Sequence, residues 1–230
     1  MSWIHDAILP EERLASDRLD EEKRFTLFGN RNSGHSYKVG LMLLLADIRF
    51  EYYHINLDTE RESRPIEFRR IAKYSEVPVL LHGDVAICQS NAILLYIARF
   101  LGRFAGESGG DYVEIEQWLF WEANRIGFSL SNLRQIRRLA IAAPELEAYY
   151  ENRARDDLNR LDAEFSKGKK NFLLGEHFTI ADIACCGYLF VAWQAQIDLN
   201  EWRGVAGWLS RIQALPRWIA PLDLVSPRTS

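Results

Sequence analysis

Two serines are the residues best suited to chemistry, because each stands where an apolar strand pattern gives way to a helical one. Ser33 follows the apolar run 25–28, and Ser90 follows the apolar run 85–88. At a helix N-terminus, a hydroxyl group can donate a hydrogen bond to an anion, and the free backbone amides and the helix dipole also favour negative charge. Serine is also common there as a simple helix cap. The two positions therefore predict either anion binding or helix capping.

The cysteines are not spaced as in a dithiol enzyme. The helix entry reads Ser33-x-x-Ser36, whereas chemistry by a cysteine pair would require Cys-x-x-Cys. Cys88 falls in a predicted buried strand, and Cys185 and Cys186 are adjacent in a predicted core helix, so we expect all three to be inert packing residues. The sequence has no zinc-ligand spacing, phosphate-binding loop or dinucleotide fingerprint. We therefore expect no metal and no organic prosthetic group.

The elements that position the two serines alternate between strand and helix periodicity. Hydrophobic patterns and turn residues predict strands over 25–28, 49–57, 77–81 and 85–88, with helices over 39–46, 66–73 and 91–101. The helical crossover makes the first two strands parallel, whereas a short turn makes the last two antiparallel. The order β-α-β-α-β-β-α over residues 25–103 predicts an α/β domain of thioredoxin-like topology.

The second part of the chain shows helical periodicity alone. A glycine-rich linker, 104–110, precedes a predicted all-α C-terminal domain, 111–230, with helices over 112–139, 144–165, 183–195 and 208–215. Thr179 and Asp182 form a predicted capping box before the third of these helices. Residues 1–24 form a charged N-terminal extension, which we interpret as a solvated helix or frayed arm, or as an arm packed across a partner subunit.

Composition argues against several classes of function. A net charge of -4 and a pI near 5.8 argue against nucleic acid as a partner, since such proteins need a basic surface. The longest strongly apolar stretch, 183–193, is far shorter than the ~20 residues that span a bilayer, so no membrane partner is expected. The start of the chain lacks the apolar segment of a signal peptide, and three cysteines cannot all pair. We therefore expect a cytoplasmic protein.

Four stretches together resemble the cytosolic glutathione transferase superfamily, and the resemblance runs from Phe25 to about Pro221. They are the helix entry 33–39, the Val-Pro strand 77–80, the Gln-Ser-x-Ala-Ile motif within 89–96 and the capping box 179–182. The helix entry is similar to that of bacterial members of the theta-, delta- and nu-like groups. The resemblance implies the glutathione transferase fold, in which a thioredoxin-like glutathione-binding domain precedes an all-helical domain.

The resemblance also implies roles for individual residues. Ser33 is the first candidate to hold the glutathione thiol as a thiolate, and Asn32, Ser36 and Tyr37 are its rivals. Lowering a thiol pKa by about two units requires about 2.7 kcal/mol of preferential anion stabilisation. The candidate glutathione-binding residues are His35 for the glycyl end, Val77 with a cis Pro78 for the cysteinyl backbone, and Gln89 with Ser90 for the γ-glutamyl carboxylate.

Two positions depart from the family pattern. Glu76 directly precedes the Val-Pro pair, where the glycyl carboxylate of glutathione would approach. Like charges repel there, so we expect weak glutathione binding unless Glu76 points away or another base compensates. Asn91 stands where some groups of the family have a basic residue.

The resemblance places an electrophile site between the two domains. Candidate walls are Trp118, Trp121 and Phe128, although each of them singly is better explained as a core or dimer-interface residue. The basic residues Arg134, Arg137 and Arg138 are interpreted as a solvated helix face.

We therefore expect a homodimeric glutathione transferase, in which glutathione is a co-substrate and its thiolate attacks a small hydrophobic electrophile. One alternative is glutathione-dependent disulfide reduction or peroxidase activity, in which bound glutathione supplies the only reactive thiol. A second alternative is a non-catalytic binding or adaptor protein that keeps the fold. Assays with a disulfide against an aryl halide would separate the two enzymatic alternatives.

Overall fold

The computed structural model describes residues 25–106, 108–166 and 170–224. Both interpretations of the extension 1–24 concern residues outside this part of the chain. The N-terminal domain contains β1 (Phe25–Gly29), α1 (Gly34–Leu45), β2 (Phe50–His54), α2 (Ile66–Ile71), β3 (Val79–His82), β4 (Val85–Cys88) and α3 (Ser90–Leu101). The C-terminal domain contains α4 (Gly109–Asn124), α5 (Ile126–Arg138), α6 (Pro144–Ser166), α7 (Ile180–Cys186), α8 (Arg203–Gln213) and α9 (Pro221–Leu224).

A mixed four-stranded sheet with the order β2-β1-β3-β4 forms the centre of the N-terminal domain. β1 pairs in parallel with β2, so that Phe25 lies opposite Phe50. It pairs antiparallel with β3, where Leu27 lies opposite Leu80, and β3 forms an antiparallel hairpin with β4. The predicted order of elements and the predicted strand directions are confirmed, and the domain is thioredoxin-like.

Alternate side chains of β1 point to opposite faces of the sheet, and helices cover both faces. Leu27 belongs to the main core with residues of α1 and α3, whereas Phe28 packs on the other face near Phe68 of α2. The main core continues into the C-terminal domain, so α1 is buried between the sheet and that domain. In the part of the chain that the structure describes, no helix has both the length and the apolar character to cross a membrane.

The predicted helix 112–139 is wrong, because the structure divides it into α4 and α5. Arg125 leaves helical geometry at the junction (φ -117°, ψ -106°), and its Nε donates to Oδ1 of Asp157 on α6 (2.7 Å). The bend also brings Gly127 against Glu122 so closely that a β-carbon at Gly127 would overlap the glutamate. Tertiary contacts therefore interrupt an apolar pattern that reads as continuous.

The predicted helix 183–195 is also wrong in its bounds. α7 begins at Ile180, behind the capping box, and ends at Cys186, and a separate 3-10 helix follows over Leu189–Ala195. Gly187 lies between the two, where a β-carbon would stand 2.5 Å from Cγ of Lys38 on α1. The close approach of α1 explains why only a small residue fits at this break.

Candidate active site

Ser33 lies where the chain turns from β1 into α1. Its backbone is extended (φ -95°, ψ 112°), and its Oγ accepts a hydrogen bond from the backbone N–H of Ser36 (3.1 Å). Asn30 orders the preceding turn by accepting from the N–H of Asn32 (2.8 Å) and donating to the carbonyl of Ile55 (2.8 Å). Ser33 thus caps the helix as an acceptor and keeps a hydroxyl proton with which to donate.

Two of its three rivals face away from the surface. Ser36 is fully buried, and its Oγ accepts a backbone N–H from the preceding turn (3.2 Å). Tyr37 is also buried and donates its hydroxyl to the carbonyl of Ile219 (2.9 Å). Asn32 stays beside Ser33 at the cleft described below. Ser33 is therefore the accessible hydroxyl of this helix entry.

Ser90 opens α3 close to the entry of α1. The residue before it, Gln89, has a φ of 71°, in the left-handed region that costs energy for a residue with a side chain. In the part of the chain that the structure describes, no side chain caps this end of α3, so its first backbone amides are available to a ligand. Oγ of Ser90 lies 3.5 Å from Nδ1 of His35, which brings the N-termini of α1 and α3 together.

His35 is neutral at physiological pH. Burial lowers its pKa to about 4, and the nearby ammonium of Lys38 lowers it further than the Glu122 carboxylate raises it. The imidazole can therefore offer one N–H donor to a ligand but no positive charge. Its ring meets that of Tyr188 edge-on, with 5.0 Å between the ring centroids.

Two adjoining clefts share His35, Glu76 and Val77. The larger, about 510 Å³, contains Ser33 and is called the Ser33 cleft. The smaller, about 170 Å³, contains Ser90 and is called the Ser90 cleft. The structure thus brings all six of the predicted site residues to the walls of two connected clefts, with Pro78 and Gln89 in the smaller one.

The segment between the two clefts offers backbone groups. The peptide bond between Val77 and Pro78 is cis, as the resemblance implies. Among the described residues, the N–H and C=O of Val77 make no hydrogen bond to another residue. Glu76 is exposed and borders both clefts, so the sequence departure does fall at the candidate site.

The Ser33 cleft has more basic than acidic side chains. Its charged residues are Arg61, Arg64, Arg134 and Arg138, with Asp58 and Glu76 as the acids. Arg64 is buried and donates from Nη1 to the carbonyl of Ser75 (2.5 Å), and its Nε has no hydrogen-bond partner among the described residues. Sequence periodicity did not reveal this positive wall, because its members come from two separate parts of the chain.

The prediction of a solvated arginine face on α5 is wrong for two of its three members. Arg134 is only 4% exposed and is held between the two domains. Arg137 is partly buried and forms ion pairs with two glutamates of α6. Only Arg138 is exposed. Docking of α5 against its neighbours buries residues that helical periodicity alone assigns to solvent.

Tyr188 is a candidate site residue that sequence reasoning missed. It follows Gly187 in an apolar run, and no local signal distinguishes it there from a core residue. Its hydroxyl interacts with the Ser33 side chain and the Gly34 backbone, and burial raises the pKa of the phenol. The ring packs against Gly34, where a β-carbon would stand 2.8 Å from it. Tyr188 therefore closes the Ser33 cleft from the C-terminal domain.

The aromatic residues proposed as walls of the electrophile site lie elsewhere. Trp118 and Trp121 border a separate depression. Phe128 is largely exposed and packs edge-on against Tyr150. The C-terminal wall of the Ser33 cleft is instead formed by polar residues of α5, together with Tyr188: Ser131, Asn132, Arg134, Gln135 and Arg138.

The cysteines lie apart from Ser33. Cys185 and Cys186 are buried in α7, and burial raises the pKa of both thiols. Cys88 is partly exposed at the Ser90 cleft, so its placement in a buried strand is wrong; its Sγ contacts the carbonyl of Ile71 (3.8 Å).

A buried ion pair lies directly beneath the candidate site. Nζ of Lys38 is 2.8 Å from Oε1 of Glu122, and both side chains are almost fully buried. Asn91 accepts from Lys38 (3.0 Å) and donates to Oε2 of Glu122 (2.8 Å), which places a neutral amide where some family groups have a base. The cluster ties α1 and α3, which carry the two serines, to α4 of the C-terminal domain.

Comparison with known proteins agrees with this architecture. Residues 23–99 match the model of the glutathione S-transferase N-terminal domain, and residues 147–220 match that of the C-terminal domain. The Escherichia coli protein named disulfide-bond oxidoreductase YfcG is 29% identical over 198 residues, covering 82% of this chain and 89% of its own.

Solved structures are similar over most of the chain. A glutathione S-transferase from Pseudomonas fluorescens is 27% identical with a TM-score of 0.77, covering 86% of this chain and 99% of its own. One from Xanthobacter autotrophicus is 26% identical with a TM-score of 0.76, covering 88% and 100%. Because the two family models cover more than half of the chain and fall on its two domains, the chain belongs to the cytosolic glutathione S-transferase superfamily.

Proposed function

We propose that this chain binds glutathione across the two clefts and holds the thiol as a thiolate beside Ser33. The observation that carries the proposal is the convergence of three features on one connected surface: Ser33, the Val77 backbone and the N-terminus of α3. No described residue pairs with that backbone or caps that helix end with its side chain. Each matches one part of the tripeptide: the thiol, the cysteinyl backbone and the γ-glutamyl carboxylate. Backbone pairing at Val77 and anion binding at α3 need no further specialised residue.

The arginines of the Ser33 cleft can compensate for the negative charge of Glu76, which would repel a carboxylate of glutathione. Arg61 and Arg64 border the same cleft as Glu76, and no described residue bonds the buried Nε of Arg64. A glycyl carboxylate placed against these arginines would gain charge-assisted hydrogen bonds. We therefore assign to Arg64 the compensating role that the sequence left open, with the neutral His35 as an additional N–H donor.

The reaction that the cleft favours is thiol–disulfide exchange. The bound thiolate attacks one sulfur of a disulfide substrate, forms a mixed disulfide with it and expels the other sulfur as a thiolate, which takes a proton. A second glutathione then resolves the mixed disulfide, so that two glutathione molecules become one glutathione disulfide and the substrate yields two thiols. Within the described residues no cysteine lines the Ser33 cleft, and Cys88 lines only the Ser90 cleft, so glutathione would supply the sulfur that reacts beside Ser33.

Two observations favour this reaction over conjugation. The wall of the Ser33 cleft on α5 is polar and lacks the predicted aromatic side chains, which suits a polar co-substrate better than a hydrophobic one. The relative from E. coli is named a disulfide-bond oxidoreductase. The second candidate is the function that the sequence analysis expects first, which is conjugation of glutathione to a small hydrophobic electrophile. Similar solved structures are named glutathione S-transferases, which supports it.

We also propose that the chain forms a homodimer, as the sequence analysis expects.

Calorimetric titration with reduced glutathione tests the binding proposal. Ser90→Ala should weaken glutathione binding by about tenfold, because a hydroxyl at the carboxylate site is lost. Ser33→Ala should leave affinity nearly unchanged but raise the pKa of the bound thiol by about 1–2 units, read from thiolate absorbance. Ser210→Ala, on an exposed face of α8, is the matched control.

Two results would contradict the proposal. Absence of binding at millimolar glutathione would eliminate it and favour a non-catalytic binding protein. Binding with turnover of an aryl halide but not of any disulfide would replace exchange by conjugation.

A further inference from the structure

Arg134 is a buried cation that has no acidic partner among the described residues. Its Nε donates to Oε1 of Gln194 (2.7 Å), and its Nη1 donates to the carbonyl of Asn32 (2.8 Å). Both acceptors are neutral, and no carboxylate of the described residues lies within ion-pair distance of it. The residue is 4% exposed and nevertheless borders the Ser33 cleft.

Two neighbouring arginines of the C-terminal domain do have acidic partners, whereas Arg134 and Arg64, which both border the Ser33 cleft, have none among the described residues. Arg125 pairs with the buried Asp157 (2.7 Å), and Arg137 pairs with Glu147 (2.8 Å). A guanidinium stays protonated at any physiological pH, so burying it without an anion carries a desolvation cost that neutral acceptors offset only in part. Burial accordingly lowers the pKa of Arg134. An anionic ligand in the cleft would supply the missing compensation.

The position of Arg134 points to the co-substrate rather than to glutathione. It reaches the cleft from α5, whereas the groups assigned to glutathione lie on the N-terminal domain. Arg134 donates to the carbonyl of Asn32, which directly precedes Ser33, so an anion bound to Arg134 would lie near the thiolate. Arg138, one helical turn later, is exposed at the same cleft and has no ion pair with a described residue.

We infer that Arg134, assisted by Arg138, binds a carboxylate of the co-substrate, so that the second substrate is a small disulfide carrying carboxylate groups. This inference rests on the proposed function and names the substrate class for it. Gln194 and Asn32 orient the guanidinium of Arg134 through Nε and Nη1, which leaves Nη2 to donate to one carboxylate oxygen. Such a carboxylate would position the disulfide sulfur for attack.

Steady-state kinetics with two disulfides of similar size test the inference. Dithiodipropionate carries two carboxylates, and hydroxyethyl disulfide is neutral. With glutathione and the wild-type chain, kcat/KM should favour dithiodipropionate. Arg134→Gln should lower kcat/KM for dithiodipropionate by about 30-fold or more, while kcat/KM for the neutral disulfide changes by less than about threefold. Arg134→Lys keeps the charge and should retain part of the preference.

Comparing two substrates separates anion binding from a structural role. Displacement of the Ser33 loop, or loss of thiolate stabilisation, would lower turnover of both disulfides equally, and that result would overturn the inference. Arg138→Gln should produce a smaller loss that is also confined to dithiodipropionate, and it provides the test should Arg134→Gln not fold. Arg160→Gln, an exposed residue paired with Glu164, is the matched control.

A binding measurement decides the inference independently of turnover. The chain saturated with S-methylglutathione, which cannot react, is titrated with dithiodipropionate by calorimetry. Binding that Arg134→Gln abolishes supports the subsite, and binding that the variant leaves unchanged, or no binding at all, overturns it. Failure of reduced glutathione itself to bind would instead reject the proposed function, so the two failures are distinguishable.

Discussion

His35 shows how a single residue can couple the candidate site to stability. Burial holds its pKa near 4 in the folded chain, against 6.5 for an unperturbed histidine. Between these values the unfolded chain binds the additional proton, so the contribution of His35 is complete above pH 6.5 and is lost as the pH falls towards 4. We predict that His35→Gln loses less stability than the wild type between pH 7 and pH 5, by up to about 2 kcal/mol.

Urea unfolding of both proteins at the two pH values measures this difference. Asp182 acts in the opposite direction, because burial raises its pKa to about 6 and the folded chain then takes up a proton on acidification. Since Asp182 is present in both proteins, its contribution cancels in the comparison. Parallel pH dependence of the two proteins would show that the surroundings of His35 do not lower its pKa.

At the scale of elements, the start of α7 depends on the carboxylate of Asp182. Its Oδ1 accepts from the N–H of Leu173 (2.9 Å) and from Nε1 of Trp208 (2.9 Å), and its Oδ2 accepts from the N–H of Thr179 (3.0 Å). Asp182→Ala would leave three buried donors without partners. We predict a loss of about 3–5 kcal/mol in the free energy of unfolding.

The chain contains a matched control for this prediction. Ser108 and Asp111 form the same capping box at the start of α4, but they lie nearer the surface. Asp111→Ala should therefore cost only about 1 kcal/mol, the usual contribution of an accessible cap. Equal losses for the two variants, measured by urea unfolding, would mean that the burial of Asp182 carries no additional energy.

At the scale of the whole molecule, the ion pair between Lys38 and Glu122 links the two domains. Removing one member of a fully buried pair leaves the other charge uncompensated, so we predict that Glu122→Gln lowers the free energy of unfolding by about 3–5 kcal/mol. Glutathione affinity should fall as well, because the cluster holds the helices that carry Ser33 and Ser90. Urea unfolding and calorimetry measure the two effects.

Two further variants test whether the loss of stability comes from the uncompensated buried charge. Glu116→Gln removes an exposed pair with Arg99 (3.7 Å) and should cost less than about 1 kcal/mol. The double variant Lys38→Met with Glu122→Leu removes both charges and should recover most of the lost stability, since a buried pair contributes little against a well-packed apolar replacement. A small loss for Glu122→Gln alone would contradict the burial of the pair.

Much of the fold and part of the site could be predicted from local sequence signals. The strand order and directions follow from periodicity and from the lengths of the connections. The capping box follows from the residue types of Thr179 and Asp182, which are three positions apart. Ser33 and Ser90 could be located because each stands at a strand-to-helix junction. Periodicity failed at Arg125 and at Gly187, where contacts with distant elements override the local pattern.

The sequence by itself therefore determined the order of the elements, most of their positions and the residues at the helix entries, because those properties depend mainly on neighbours along the chain. Only the tertiary structure decided which side chains face the cleft. Docking of the helical domain buries Arg134 away from every described carboxylate, brings Tyr188 to Ser33 and leaves the tryptophans of α4 on another surface. These outcomes depend on contacts between residues far apart in sequence, so burial and charge compensation at the cleft could be known only once both domains were in place.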